Sequence, residues 1–184
     1  MSEVIVATEI PNLHLAPSHP DLAAAQMELP LREDRDRLIG DAIASLGEAY
    51  PYVIMDCPPS LGLLTINALR AANRLIVPVQ CEYYALEGLA QLLENVERIR
   101  YSLNPGLALT GLLLTMFDRR TRLSSDVERE VRTHFGPKVF KAVVPRSVRL
   151  AEAPSYGLPI TRYEPNSKSA DAYYQLAIEM VERG

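Results

Sequence analysis

Residues 52–60 constrain this chain more than any other stretch. Tyr52, Val53, Ile54 and Met55 form an apolar run that stops at Asp56, Cys57, Pro58, Pro59 and Ser60. A short run rich in β-branched and aromatic side chains predicts a buried strand. Two prolines end it, because proline has no N–H to give to a ladder. An acid at the C-terminal end of a buried strand stands on the edge where open parallel sheets bind ligands, and there a carboxylate can handle magnesium and water. A site of that kind takes its phosphate grip from a glycine-rich loop ending in Gly-Lys-Ser/Thr. The 184 residues contain no such loop: the first lysine is Lys138, and nothing before Asp56 reads Gly-x-x-x-x-Gly.

The rest of the chain alternates apolar runs with helical periodicity. A short strand is expected over residues 13–16 and a helix over 38–46. A second helix is expected over 63–72, followed by a strand over 75–79 that carries Pro78. Leu89, Leu92, Leu93, Val96 and Ile99 line one face of a long amphipathic helix over 86–101. A strand over 107–117 follows. Ser125 and Glu128 have capping-box spacing for the next helix, which Gly136 and Pro137 close. A strand over 139–144, an irregular stretch over 151–163 and a helix over 169–183 complete the pattern. Strands separated by helices predict an α/β fold with a parallel sheet covered on both faces.

Composition sets outer limits. A hydrophobic fraction of 48% and a net charge of −4 suit a globular chain without a wholesale basic surface, and no apolar run approaches a membrane span. Cation placement is uneven: lysine occurs only at 138, 141 and 168, and much of the arginine falls between Arg119 and Arg149. Cys57 and Cys81 each follow an apolar run, which predicts buried, reduced thiols. His14, His19 and His134 lack metal-ligand spacing.

Five blocks in order carry a family resemblance: DCPPSLGLLTINAL from Asp56, PVQCEYYALEGLAQL from Pro78, LLLTMFDRRTRLSSDV from Leu112, VVPRSVRLAEAPSYGLPI from Val143 and YEPNSKSADAYYQLA from Tyr163. Together they resemble the ParA/Soj family of deviant-Walker ATPases that partition bacterial chromosomes and plasmids. The likeness runs from about Ile10 to the end. The family's opening strand, its KGGVGKT-type loop and the helix after it have no counterpart. Residues 1–184 are therefore expected to be one ParA-like ATPase domain without the phosphate-loop strand and helix, leaving strand edges open to pairing with another chain.

The resemblance assigns roles residue by residue. Asp56 is the candidate Walker B acid, holding magnesium through water; the plain alternative is a cap on the proline turn. Pro58, Pro59, Ser60 and Gly62 resemble switch II, the segment that senses a γ-phosphate. Met116, Phe117, Asp118, Pro145 and Arg146 lie where the family borders the adenine. Arg120 and Arg149 occupy positions that carry non-specific DNA binding, which Arg119, Arg122 and Arg146 can extend; solvated surface arginines are the alternative. Tyr83, Tyr84 and Glu87 fall near the family's dimer face; tyrosines packing a helix start are the alternative. Glu179 and Glu182 with only Arg183 make the last helix unlike a basic membrane tail.

What this implies is an ATP- and magnesium-dependent partition ATPase that dimerises, binds DNA non-specifically and is discharged by a ParB-type partner in a nucleoid-associated, cytoplasmic setting. The chain by itself is expected not to turn over ATP. Two alternatives stay open. One is a non-catalytic protein pairing with a full-length homologue or a separately encoded N-terminal piece. The other is a related ATPase that positions other cellular machinery.

Overall fold

The protein is described from a computed structural model that places residues 2–58 and 60–183. They divide into two units, Met1–Asn73 with Val96–Leu107, and Arg74–Asn95 with Ala108–Gly184.

In the first unit β1 (Val6–Ala7) and β2 (His14–Leu15) make a two-residue antiparallel pair, shorter than the strand expected there. Three helices follow: α1 (Asp21–Glu28), α2 (Leu38–Ala44) and α3 (Leu63–Ala71). The buried amide of Asn67 ties α3 to the start of α2. Its Nδ2 donates to the carbonyls of Arg35 (2.7 Å) and Leu63 (2.9 Å). Arg70 pairs with Asp36 on the same face, and Asn104 donates to the carbonyls of Leu69 and Ala72 at 2.9 and 2.8 Å.

The strand expected over residues 52–56 is not formed. The segment joins no ladder among the described residues, and Ile54 is 85% exposed. The physical reason is that a strand is completed by its neighbour's N–H and C=O groups, and none of the described residues lies alongside. Cys57 is accordingly exposed, against the buried thiol expected.

The second unit contains β3 (Arg74–Gln80), α4 (Ala85–Ser102, whose last turns group with the first unit), β4 (Ala108–Phe117) and α5 (Arg122–Phe135). Next come β5 (Val139–Pro145), α6 (Val148–Glu152), α7 (Ile160–Tyr163) and α8 (Lys168–Glu182). The sheet is parallel, in the order β3-β4-β5. Alternation sends Val77, Val79, Leu112 and Leu114 to one face, where they pack against Leu89 of α4 and Val127 and Val131 of α5. Leu113, Phe140, Ala142 and Val144 take the other face, against Ala172 and Leu176 of α8. Helices thus cover both faces, as expected. The stretch expected to be irregular holds α7 and part of α6. Helix α5 starts ahead of the Ser125 box, because the Thr121 side chain accepts the Ser124 N–H and caps it there.

Strand β5 carries a bulge. Leu112 and Leu114 of β4 face Val139 and Val143, so β5 uses extra residues between those points. The Glu179 carboxylate fills the gap, accepting the N–H groups of Lys141 (2.8 Å) and Ala142 (2.7 Å). Arg183 completes the seal: its guanidinium lies 4.1 Å from the Phe140 ring centroid and donates to the carbonyls of Thr110 and Val139, both at 3.0 Å. The backbone comes this close only because residue 111 is glycine. A Cβ there would sit 2.7 Å from both Arg183 Nη1 and Phe140.

Candidate functional site

In a parallel sheet all strands end on one edge, and here β3, β4 and β5 deliver Gln80, Phe117 and Pro145 to it. Past these ends lies an open groove of about 580 Å³. Tyr83 and Tyr84, both exposed and edge-to-face at 5.1 Å, flank it together with Met116, Asp118 and Arg146. That volume falls within the usual range for small-ligand sites.

The groove wall is set by local backbone. Between Leu114 and Phe117 β4 spends three steps against two of β5, and Met116 absorbs the excess in a left-handed conformation, φ 55°. A left-handed non-glycine residue costs free energy that the surrounding structure must offset. The turn is then fixed from both sides: the Arg146 N–H donates to the Phe117 carbonyl at 2.9 Å, and the Asp118 N–H to Ser124 Oγ at 3.3 Å. Ser124, nearly fully buried, also donates to the Cys81 carbonyl, so one hydroxyl joins the ends of β3 and β4 to the start of α5. Sequence reasoning gave the helix start to Ser125; the Thr121-x-x-Ser124 spacing was the available signal for the role of Ser124.

Asp118 is the groove's dominant charge. The Arg120 side chain binds it twice, Nε to Oδ1 at 3.0 Å and Nη2 to Oδ2 at 2.8 Å, and the Arg120 N–H adds a third bond at 3.0 Å. These bonds hold the carboxyl down at about 2, the side-chain bond contributing most. Burial has the opposite outcome for Cys81, whose thiol is pushed up to about 11 and stays protonated at neutral pH.

The structure therefore brings Met116, Phe117, Asp118, Pro145 and Arg146 together at one edge, with Arg120 folded onto Asp118. Arg149 stands on α6, paired with Glu152 at 2.9 Å. Asp56 is exposed in the unpaired segment of the first unit. Of the switch-like residues, Thr65 Oγ1 of α3 donates to the Ser60 carbonyl at 2.6 Å. Gly62 is the α3 N-cap at φ −75°, which any residue adopts, and Pro59 lies outside the described residues.

The groove suits a flat, weakly charged group better than a triphosphate. Its walls offer aromatic faces, a thioether and backbone polar groups, but the acids Asp118 and Glu82 stand beside Arg146. No three His, Cys, Asp or Glu side chains converge on a metal position among the described residues. Magnesium held mainly by phosphate oxygens does not require such a cluster.

A parallel sheet with helices on both faces defines the α/β class, and residues 1–109 match the family model described as an AAA domain. The chain is 46% identical over 183 residues to the chromosome partitioning protein ParA of Myxococcus xanthus, covering all of this chain and 65% of that protein. To the sporulation initiation inhibitor protein Soj of Bacillus subtilis it is 48% identical over 182 residues, 99% of this chain and 72% of that protein. Among solved structures, cobyrinic acid a,c-diamide synthase from Mycobacterium smegmatis with bound ADP and magnesium superposes with a TM-score of 0.73 at 35% identity, over 86% of this chain and 70% of that one. The chain belongs to the ParA/Soj family of partitioning ATPases. It spans about two thirds of the length of these relatives.

Proposed function

We propose that this chain serves DNA partition as a ParA/Soj-type ATPase subunit, taking the nucleotide base in the strand-end groove and non-specific DNA on Arg120 and Arg149. The observation that carries the reading is that Met116, Asp118 and Arg146 line one groove, with Phe117 and Pro145 paired at the strand ends, within a chain of this family. Magnesium-ATP, when bound, supplies the phosphoryl group to be cleaved and the clamp between subunits. The chain's own parts are more limited. Met116 and the tyrosines offer flat apolar contact, Arg146 a single cation, and Asp56 a carboxylate to accept hydrogen bonds from metal-bound water. Grip on the phosphates belongs to lysines this sequence does not contain, so residues 1–184 alone do not turn over ATP. Dimerisation, a ParB-type partner and association with the nucleoid complete the proposal. The single-domain organisation of residues 1–184 belongs to it too.

The test is a titration with ATP and magnesium, run with residues 1–184 alone and with an added segment bearing a KGGVGKT-type loop. Weak binding without turnover that strengthens with the added segment is expected. ATP hydrolysis by residues 1–184 alone, abolished by Asp56→Ala, would refute the division of labour. For DNA, a subunit using two arginines loses roughly tenfold in affinity between 50 and 200 mM salt, since the slope is about −0.9 per phosphate.

A second reading is favoured by the exposed run Tyr52, Val53 and Ile54: this segment pairs with a strand of a homologous chain, and the protein acts without catalysis. Slow amide exchange at residues 53–55 only in the presence of that chain would support it. Unchanged exchange would rule it out.

A further inference from the structure

Resting on the DNA-binding reading, we propose that Glu152 and Glu164 form a carboxylate latch that keeps Arg149 off nucleic acid until a phosphate displaces them. Arg149 Nη1 donates to Glu152 Oε2 at 2.9 Å, and its Nε lies 3.7 Å from Glu164 Oε1. One guanidinium therefore faces two carboxylates, and the trio is net negative. A phosphate approaching it meets repulsion before it meets a donor.

The latch is built rather than incidental. Tyr163 of α7 donates its hydroxyl to the same Glu152 oxygen at 3.2 Å, and its ring stacks on Tyr156 at 5.1 Å and 29°. The acceptor is thus held in place from a second helix. Glu164, the α7 C-cap, is ordered by its own N–H bond to the Ile160 carbonyl at 2.8 Å. Glu152 meets Arg149 from one turn along α6, whereas Glu164 is brought there by the path of residues 152–164.

Arg120 provides the internal contrast. Its partner Asp118 is only 18% exposed and accepts the Arg120 N–H as well, whereas the Arg120 side chain is 87% exposed. A phosphate can join Arg120 without evicting Asp118. Arg149, at 55% exposure with carboxylates on two sides, must exchange partners. Half-exposed ion pairs contribute little free energy in water, so the exchange is within reach of a polyanion and depends on salt. Arg120 makes first contact, and Arg149 engages only when the local phosphate concentration is high.

The measurement is fluorescence anisotropy of a labelled duplex of arbitrary sequence, titrated with the full chain at several salt concentrations from about 20 mM upward. Glu152→Gln with Glu164→Gln is expected to tighten binding about 3–10-fold at low salt. It should also steepen the salt slope by about 0.9, the signature of one more phosphate contact. Glu164→Gln alone should give part of both changes and guards against a fold defect in the double variant. Adding Arg149→Ala must erase the gain. A gain that survives Arg149→Ala is bulk charge and overturns the latch, as does no gain at all. Loss of binding on Arg120→Ala with no gain from the glutamine pair overturns the latch and leaves the DNA reading standing. Binding indifferent to both Arg120→Ala and Arg149→Ala overturns both.

Discussion

Two apolar runs in this chain look alike and end differently. Residues 52–56 and 75–80 are both short, rich in β-branched side chains and followed by a cysteine. Leu75, Ile76, Val77 and Val79 lie in β3, paired in parallel with β4, and Cys81 beyond them is 2% exposed. Tyr52, Val53 and Ile54 pair with nothing among the described residues, and Cys57 beyond them is exposed. The difference is not in the runs. It lies in whether a neighbouring strand supplies the other half of the hydrogen bonds, since strand preference is a matter of packing and partners more than of the backbone's own inclination.

The sharpest way to break this contrast is thiol chemistry. Cys57, exposed though burial and Asp56 push its thiol up too, should react with iodoacetamide at pH 8 about 10-fold or more faster than Cys81, whose buried thiol is pushed up to about 11. Equal rates in the folded protein would mean that the β3 end opens as freely as residues 52–57.

Stability should divide the same way. Phe140→Ala removes a fully buried ring between β5 and α8 and should cost about 3–5 kcal/mol in urea unfolding. Glu179→Ala strands two N–H groups and should cost about 2–4 kcal/mol. Amide exchange should speed up at Lys141 and Ala142 in that variant, where a loss of mere surface charge would leave them protected. Gly111→Ala forces a Cβ against Arg183 and Phe140 and should cost about 1–3 kcal/mol. Gly88→Ala, in α4 with open space around it, should be neutral or stabilise by up to about 1 kcal/mol. Smallest of all, Ile54→Ser should stay within about 0.5 kcal/mol. A cost above 2 kcal/mol there would show residues 52–56 to be packed after all.

Much of the fold was legible. The alternation of apolar runs and amphipathic helices gave the parallel sheet, and the paired periods gave both covered faces. Of the residues lining the groove, Met116, Asp118 and Arg146 could be named from strand ends visible in the sequence. What escaped was whatever depends on a partner outside the segment being read. The unpaired run at residues 52–56 is one case; the Thr121 cap was missed for another reason, the competing Ser125 box four residues on. The ion partners of Arg149 were hidden because Glu164 lies fifteen positions away along a path that periodicity does not describe. Glu179 and Arg183 were weighed only as charges that make the last helix unlike a basic membrane tail. Their work became visible only once the bulge in β5 gave them unpaired N–H and C=O groups to meet.

That seal has a consequence for how the chain is made. Arg183 donates to the Thr110 carbonyl across 73 residues of sequence, so the β4–β5 pair stays unfinished until nearly all of these residues have left the ribosome. The sheet must wait, with Phe140 uncovered and the Lys141 and Ala142 N–H groups open, for α8. A nascent chain paused before residue 179 is therefore the form most in need of a chaperone.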